Sequence, residues 1–172
     1  MLRMLLVLLG GAPGVGKSSV ARRLLVHAAT SDRLVQWVEV DALWMHQPWE
    51  VTARTISMMR ANLRSVLANA EAAGIHTVIV TWVFQNQELR DVVIGLAPAG
   101  IEIITAQLTL GTSAWRARWT SDPTRPPIDL FFEDRYAAAN SLSADHLLAT
   151  DNRTVAQVKS GGVVYEVISS IA

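Results

Sequence analysis

Cysteine is absent from this 172-residue chain, and lysine occurs only twice. Without cysteine the chain cannot form a disulfide, use a thiolate nucleophile or bind zinc through sulfur. Its 15 basic side chains, of which 13 are arginine, are balanced by 15 acidic ones. A protein that binds nucleic acid by neutralising phosphates normally carries a basic excess, so we expect no nucleic-acid partner.

Long apolar runs are absent as well. The first run, residues 4–9, is far shorter than the roughly 20 residues that a membrane-spanning helix needs, and we expect no membrane association. This run follows Arg3 and resembles the opening of a signal peptide. No A-x-A cleavage site follows it, however, and cleavage would remove the strongest motif of the chain. We therefore expect a cytoplasmic protein.

The composition is that of one folded domain. Hydrophobic residues make up 51% of the chain and charged residues 17%, which excludes disorder as a global description. A chain of this length buries roughly 70% of its unfolded surface, enough for one core and too little for two large domains. No internal repeat or linker interrupts the sequence, so we treat residues 1–172 as a single domain.

The apolar pattern predicts strands that alternate with helices. Residues 4–9 are continuously apolar, which is typical of a strand buried on both faces of a parallel sheet. The other predicted strands are 34–40, 76–82, 101–110 and 146–150. The predicted helices are 18–29, 50–73, 86–96, 113–119, 128–140 and 154–159, while 161–172 fits either type. This alternation predicts an α/β fold with right-handed crossovers.

The strongest motif is a glycine-rich loop between the first strand and the first helix. Residues 11–18 match the pattern G-x-x-x-x-G-K-[ST]. Glycines let the backbone N–H groups point at a phosphate, and the following helix adds its N-terminal dipole. Lys17 is expected to reach the β- and γ-phosphates, and Ser18 to coordinate Mg²⁺. The predicted nucleotide-binding residues are Gly11, Ala12, Pro13, Gly14, Val15, Gly16, Lys17, Ser18 and Ser19.

Other classes that use this loop are excluded by missing motifs. The chain has no N-K-x-D or D-x-x-G motif of a GTPase and no L-S-G-G-Q stretch of an ABC ATPase. Motor, recombinase and AAA-type ATPases usually place Asp-Glu at the end of a neighbouring strand, whereas the predicted strand 76–82 ends in Thr81 and Trp82.

What remains resembles the small P-loop kinases, the adenylate kinase-like superfamily that includes shikimate kinase, gluconate kinase and chloramphenicol phosphotransferase. The resemblance covers most of the chain. It implies a three-layer P-loop NTPase fold with a five-stranded parallel sheet in the order 2-3-1-4-5. It also implies a small lid near residues 113–127, ATP and Mg²⁺ as cofactors, and a small-molecule acceptor.

Asp41, at the end of the second predicted strand, is the first residue to which the resemblance assigns a role. In many such kinases an Asp at this place binds the acceptor hydroxyl and acts as general base. A carboxylate at the carboxyl end of a parallel strand faces the crevice where ligands bind. Capping of the next turn, or binding of Mg²⁺ through water, remains an alternative. Glu39 alternates with Asp41 and is expected to point elsewhere.

Arginines of the predicted lid come next. By resemblance, Arg116, Arg118 and Arg125 are candidates for contacts to the nucleotide base or to the transferring phosphoryl group, since guanidinium groups neutralise its spread charge. Arg116 and Arg118 are two residues apart and should point in different directions on a helix. Arg153 follows the fifth predicted strand, in a segment that resembles the loop bordering the adenine.

The acceptor side is marked by aromatic residues. Trp44, His46 and Trp49 follow Asp41, and Trp82 ends the third predicted strand, so all four are expected around one crevice that suits a flat or apolar acceptor. The alternative for each is ordinary packing. Three arginines on the long second helix, which would serve an acidic acceptor, are equally explained as a solvated face. They are Arg54, Arg60 and Arg64.

The sequence thus predicts an ATP-dependent kinase that phosphorylates a hydroxyl of a small molecule. Two alternatives stay open: a nucleoside or nucleotide kinase, and an ATP-binding regulatory or resistance protein without small-molecule kinase activity. In many relatives an acid near the water shell of Mg²⁺ stands where this chain has Thr81, which leaves the step that Asp41 serves open. The acceptor, the preference for ATP over GTP, and the choice between monomer and homodimer are also open.

Overall fold

The structure, a computed structural model, describes residues 3–151. It contains five strands, five helices and one 3₁₀ turn. The strands are β1 (Leu5–Gly11), β2 (Val35–Glu39), β3 (Thr77–Thr81), β4 (Glu102–Thr109) and β5 (His146–Ala149). The helices are α1 (Lys17–Ala28), α2 (Ala53–Ala72), α3 (Gln87–Leu96), α4 (Thr112–Thr120) and α5 (Leu130–Ser141), and the 3₁₀ turn (Val40–Leu43) follows β2.

All five strands are parallel and lie in the order β2-β3-β1-β4-β5, which confirms the predicted sheet. Every residue of β1 is buried, as expected for the central strand of a sheet that is covered on both faces. The predicted helix 154–159, the segment 161–172 and Arg153 lie outside the described residues.

The alternation of β1 side chains builds two hydrophobic layers. Leu5, Val7 and Leu9 pack on one face with α1, α4 and α5. Leu6 and Leu8 pack on the other face with α2 and α3. Because successive strand residues point to opposite faces, one continuous apolar run supplies both layers. The result is the predicted three-layer arrangement, with helices on both sides of one sheet.

Helix α2 begins at Ala53, three residues later than the apolar pattern predicts. Thr52 caps it: the Thr52 hydroxyl accepts from the Thr55 N–H, and the Thr55 hydroxyl accepts from the Thr52 N–H. This reciprocal capping box fixes the first turn. Residues 44–52 therefore form a separate loop between the 3₁₀ turn and α2. This loop directly follows the turn that contains Asp41.

Candidate active site

The glycine-rich loop forms the turn from β1 into α1, as the motif predicts. Gly16 is the N-cap of α1 and has a left-handed backbone with φ of 108°. Residues with a side chain rarely adopt this backbone conformation, so glycine is required at this position. The loop then delivers the first turn of α1, with its unpaired N–H groups, to the carboxyl edge of the sheet. Ser19 lies exposed in that turn.

Lys17 is buried against the loop. Its Nζ donates to the carbonyl oxygens of Gly11 at 2.9 Å and Ala12 at 3.0 Å, and the residue is only 8% exposed. Burial lowers the pKa of Lys17 to about 8, while the carboxylates of Glu39 and Asp41 oppose the shift. The ammonium group is thus poorly solvated, and a bound phosphate would complement its positive charge.

Ser18 and Glu39 are the second pair of polar side chains at the phosphate loop. The Ser18 hydroxyl donates to Glu39 Oε2 at 2.9 Å. The expectation that Glu39 points elsewhere is wrong, because its carboxylate contacts Ser18 and acts on Lys17, as that of Asp41 does. In the pairing of β2 with β3, Glu39 lies beside Thr81, the position at which the sequence lacks the expected acid. Thr81 instead accepts a hydrogen bond from Trp37 Nε1 at 2.8 Å.

This pair fits a magnesium ion. A hydroxyl and a carboxylate are oxygen ligands of the kind that Mg²⁺ prefers. Within residues 3–151, no group of three His, Asp or Glu side chains is placed to hold a metal by itself. Such an ion would therefore need phosphate oxygens and water beside Ser18 and Glu39, which is the usual way in which Mg²⁺ is bound.

Asp41 stands at the same edge, in the 3₁₀ turn directly after β2. Trp82 Nε1 donates to Asp41 Oδ1 at 3.0 Å, and Trp82 is itself buried. The indole therefore fixes one oxygen of an otherwise exposed carboxylate. The predicted acceptor-side carboxylate and the predicted aromatic residue at the end of β3 are thus in direct contact.

Arg125 reaches the glycine-rich loop from the segment after α4. Its guanidinium lies 4.6 Å from the ring centroid of Trp119, and its Nε donates to Asp122 Oδ2 at 2.9 Å. A Cβ added to Gly14 would come within 2.5 Å of Arg125 Nη1, so only glycine admits this approach. The positive charge of Arg125 also lowers the pKa of Lys17, which places the two cations in one field.

Helix α4 is attached to the same loop by two further hydrogen bonds. Trp115 Nε1 donates to the Pro13 carbonyl at 2.8 Å, and Arg118 Nη1 donates to the Val15 carbonyl at 2.9 Å. Trp115 is almost fully buried. Arg118 thus binds the backbone of the phosphate loop, which makes it a support of that loop in this arrangement.

Arg116 points away from the loop. It pairs with Glu133 of α5, and the side chains are 50% and 38% exposed, respectively. The two-residue spacing from Arg118 therefore separates the guanidinium groups, as expected for a helix. The structure brings Arg118 and Arg125 to the phosphate loop and leaves Arg116 outside it. A catalytic role for Arg116 stays a prediction that these contacts do not support.

Arg135 of α5 is a residue that the sequence analysis missed. Its guanidinium lies 3.6 Å from the ring centroid of Phe131. Burial lowers the pKa of Arg135, and the nearby carboxylate of Asp41 opposes the shift. The charge of this half-buried cation therefore interacts with that of the predicted acceptor-binding carboxylate, although the two residues are 94 positions apart in the chain. No local pattern signals this contact.

The predicted aromatic residues after Asp41 form a small cluster. Trp49 meets Trp44 edge-on at 5.3 Å between ring centroids and stacks on His46 at 5.2 Å. By contrast, Arg60 and Arg64 of α2 line a separate groove of about 360 Å³ with Asp91 of α3. Three of the four predicted aromatic residues thus contact one another, and their role in acceptor binding stays a prediction, while these two arginines lie elsewhere.

Comparisons with solved structures identify the fold. A sugar kinase from Janibacter sp. HTCC2649 superimposes with a TM-score of 0.66 at 18% identity, over 99% of this chain and 96% of that chain. An APS kinase from Mycobacterium tuberculosis, in complex with AMPPNP and APS, gives 0.64 at 19% identity, over 98% of each chain. A gluconokinase from Sinorhizobium meliloti 1021 gives 0.60 at 18% identity, over 99% of this chain and 92% of that chain.

These likenesses confirm the resemblance at the level of the fold. The chain has the architecture of the P-loop kinases of the shikimate and gluconate kinase type. At sequence level, a scan of family models found no match, and a search of curated proteins found no relative. Among the described residues, no helix is both long and apolar enough to span a membrane.

Proposed function

We propose that this protein transfers the γ-phosphate of ATP to a hydroxyl group of a small molecule. One observation carries the proposal: the charges of Asp41 and Arg125 both act on Lys17, at the carboxyl edge of the sheet. The phosphate-binding lysine, the acceptor-side carboxylate and the arginine of the predicted lid thus converge on one place. That is the arrangement that phosphoryl transfer between two bound substrates requires.

Several neighbouring groups bind the nucleotide phosphates and the magnesium ion. The loop N–H groups and the N-terminus of α1 bind phosphate oxygens, and the Lys17 ammonium turns from the loop carbonyls to them. Ser18 would hold Mg²⁺ directly, and Glu39 would hold it through a water of its shell. When bound, this ion neutralises charge that develops on the transferred group.

The acceptor end prepares the hydroxyl. With Oδ1 held by Trp82, Asp41 keeps Oδ2 for the acceptor and takes the hydroxyl proton. The acceptor oxygen then forms its bond to the γ-phosphorus, while the bond to the bridging oxygen of ADP breaks and ADP leaves with that electron pair. Arg125, held over Trp119 beside Gly14, offers its guanidinium to the equatorial oxygens of the transferred group.

The site favours a small hydroxylated acceptor over a nucleotide. A nucleotide acceptor would need arginines of α2 in the crevice. Arg60 and Arg64 line the groove with α3 instead, which leaves Arg54, in the first turn of α2, as the remaining candidate of the predicted three. Besides Lys17, Arg135 is a cation whose charge interacts with that of Asp41. We therefore assign Arg135 to the binding of an oxygen atom on the acceptor.

The test is an acceptor screen for ADP release with MgATP, run on pools of sugars, sugar acids, nucleosides, nucleotides, aminoglycosides and phenicols. The wild type is compared with Lys17→Ala and Asp41→Asn. We expect one pool to stimulate ADP release in the wild type and neither variant to respond. A stimulated rate that Asp41→Asn retains in full would overturn the assignment of Asp41.

The same variants separate a kinase from an ATP-binding regulator. A regulator would lose its nucleotide affinity with Lys17→Ala and would be indifferent to Asp41→Asn. The regulatory function replaces the kinase function under three conditions. The wild type must bind MgATP, no pool may stimulate its ADP release, and Asp41→Asn must match the wild type in both measurements.

A further inference from the structure

The groove between α2 and α3 takes no part in the proposed reaction. It has a volume of about 360 Å³, and in the part of the chain that the structure describes it is lined by these two helices alone. Lys17, Asp41 and Trp82 are not among its lining residues. Its volume is that of a small-molecule site. The groove is thus large enough for a ligand that does not compete for the carboxyl edge of the sheet.

Two arginines give one wall of the groove its charge. Arg60 and Arg64 are exposed and lie about one turn apart on α2. Within residues 3–151, neither forms an ion pair or a side-chain hydrogen bond. Like charges at this spacing destabilise a helix. A bound anion would offset that repulsion and accept hydrogen bonds from both guanidinium groups.

The other wall leaves a space that the fold itself does not need. Gly95, in the last turn of α3, lines the groove. A Cβ added there would meet no described atom within 4 Å beyond its own helix backbone and chain neighbours, and the backbone is not left-handed. Neither packing nor conformation therefore requires glycine, although glycine destabilises a helix relative to alanine. Room for a ligand explains a residue that the helix disfavours.

The remaining lining groups indicate what the body of the ligand is like. Val92 and Leu96 add apolar surface beside the arginines. Asp91 also lines the groove, and its Oδ1 accepts from Gln87 Nε2 at 2.7 Å. A bare anion would be repelled by this carboxylate, whereas a hydroxyl group on the body of the ligand can donate to it.

We propose that this groove binds a small phosphate monoester whose body carries hydroxyl groups, such as a sugar phosphate. Arg60 and Arg64 bind the phosphate group, Asp91 accepts from a hydroxyl, and the body fills the space over Gly95. Paired guanidinium groups suit a doubly charged phosphate. Inorganic phosphate has the same charge but no body, so it is expected to bind more weakly. The site does not depend on the proposed kinase function.

The test follows the amide NMR signals of ¹⁵N-labelled protein while glucose 6-phosphate or glycerol 3-phosphate is added. The phosphate loop is first saturated with AMPPNP and Mg²⁺, so that added phosphate groups do not bind there. The Gly95 amide reports the groove, and the Gly16 amide reports the phosphate loop. We expect at least one ester to shift the Gly95 signal in a saturable manner and to leave that of Gly16 unchanged. Inorganic phosphate should bind about tenfold more weakly than that ester, and glucose and glycerol should not shift the Gly95 signal.

Variants separate a built site from a general attraction between charges. Arg60→Gln and Arg64→Gln each remove a charged donor and should raise the Kd of the ester by about tenfold. Gly95→Leu keeps both arginines, fills the space and should also weaken binding by at least about tenfold. Since leucine is a better helix former than glycine, this loss would not come from unfolding. Arg23→Gln, at an exposed arginine of α1, is the matched control and should bind as the wild type does.

Four results would each overturn the proposal. Neither ester shifts the Gly95 signal, inorganic phosphate binds as tightly as the ester, Gly95→Leu binds as the wild type does, or Arg23→Gln weakens binding as much as Arg60→Gln. A Gly95 signal that follows the protein concentration instead of the added ester would mark an interface between copies of this chain, and the proposal would then fail as well.

Discussion

At the scale of single residues, the protonation state of Lys17 controls nucleotide binding at the phosphate loop. Neighbouring carboxylates and a guanidinium act on the pKa of this lysine in opposite directions. Burial disfavours its charged form, the carboxylates of Glu39 and Asp41 favour it, and Arg125 disfavours it. The net effect lowers the pKa of Lys17 from 10.5 to about 8. A bound polyphosphate adds negative charge beside the ammonium, so binding and protonation of Lys17 support each other.

This balance predicts a pH dependence of nucleotide binding. As the pH rises above about 8, free Lys17 loses its proton and binding must restore it. The Kd for MgATP should therefore rise above that pH, by up to about tenfold per pH unit. Titration calorimetry from pH 7 to pH 9.5 measures this. Lys17→Arg, which stays charged, should show weaker but pH-independent binding; a constant wild-type Kd across the range contradicts the account.

Glu39 and Asp41 have separate predicted tasks although both act on Lys17. Glu39 contacts Ser18, so Glu39→Gln should raise the Mg²⁺ concentration for half-maximal ADP release by about tenfold. Asp41 contacts Trp82, so Asp41→Asn should lower kcat by at least about 100-fold with an unchanged Mg²⁺ requirement. Steady-state rates over a Mg²⁺ series measure both, and identical profiles for the two variants would refute the division.

At the scale of elements, α4 connects the phosphate loop to α5. Trp115 bonds to the loop and stacks on Tyr136 of α5 at 4.4 Å between ring centroids. Tyr136 in turn donates its hydroxyl to the Leu110 carbonyl at 2.7 Å. Since Arg135 precedes Tyr136, this packing fixes the part of α5 that carries Arg135 relative to the phosphate loop.

Two arginines of α4 provide a matched test. Arg118 donates to the Val15 carbonyl, and a hydrogen bond from a charged donor contributes about 1.5–3 kcal/mol. Arg118→Ala should therefore weaken MgATP binding by about tenfold or more. Arg116 is exposed and pairs with Glu133, so Arg116→Ala should change the Kd by less than about threefold. Equal losses, or the reverse order, would show that α4 contacts the nucleotide in another way.

The capping box of Thr52 and Thr55 fixes the first turn of α2 and thereby positions the preceding loop, residues 44–52, which carries the aromatic cluster. Thr52→Ala removes the cap and should lower the free energy of unfolding by about 1 kcal/mol. Thr120→Ala is the control, because the Thr120 hydroxyl only bonds back to carbonyls of its own helix, and it should cost less than about 0.5 kcal/mol. Urea unfolding measures both. A Thr52→Ala protein as stable as the control would mean that packing alone fixes this turn.

At the scale of the whole molecule, the central strand β1 separates two groups of site residues. The strand order places β3 and β2, with Asp41 after β2, on one side of β1, and β4 on the other, with α4 following β4. Ligands of open α/β sheets bind at the carboxyl ends of the strands, where such a division occurs. Asp41 and the predicted lid thus approach the phosphate loop from opposite sides.

The strands, the helices and the glycine-rich loop were predictable because their signals are local, whereas the strand order came from the resemblance to the small P-loop kinases. A fully buried β1, the glycine-rich turn and the alternation of strands with helices are each readable in a short window. Two side chains of the site were not predicted correctly. The direction of Glu39 depends on its facing Ser18 across the edge of the sheet, and the position of Arg135 depends on α5 packing near Asp41. Such contacts arise only from tertiary packing.

The fate of the γ-phosphate tests the central claim most directly. Wild-type protein is incubated with MgATP and the acceptor that the screen selects, and the products are followed by ³¹P NMR. We expect a new phosphomonoester signal that grows in step with ADP and is absent with Asp41→Asn. Release of inorganic phosphate alone, at the same rate with and without acceptor, would contradict it.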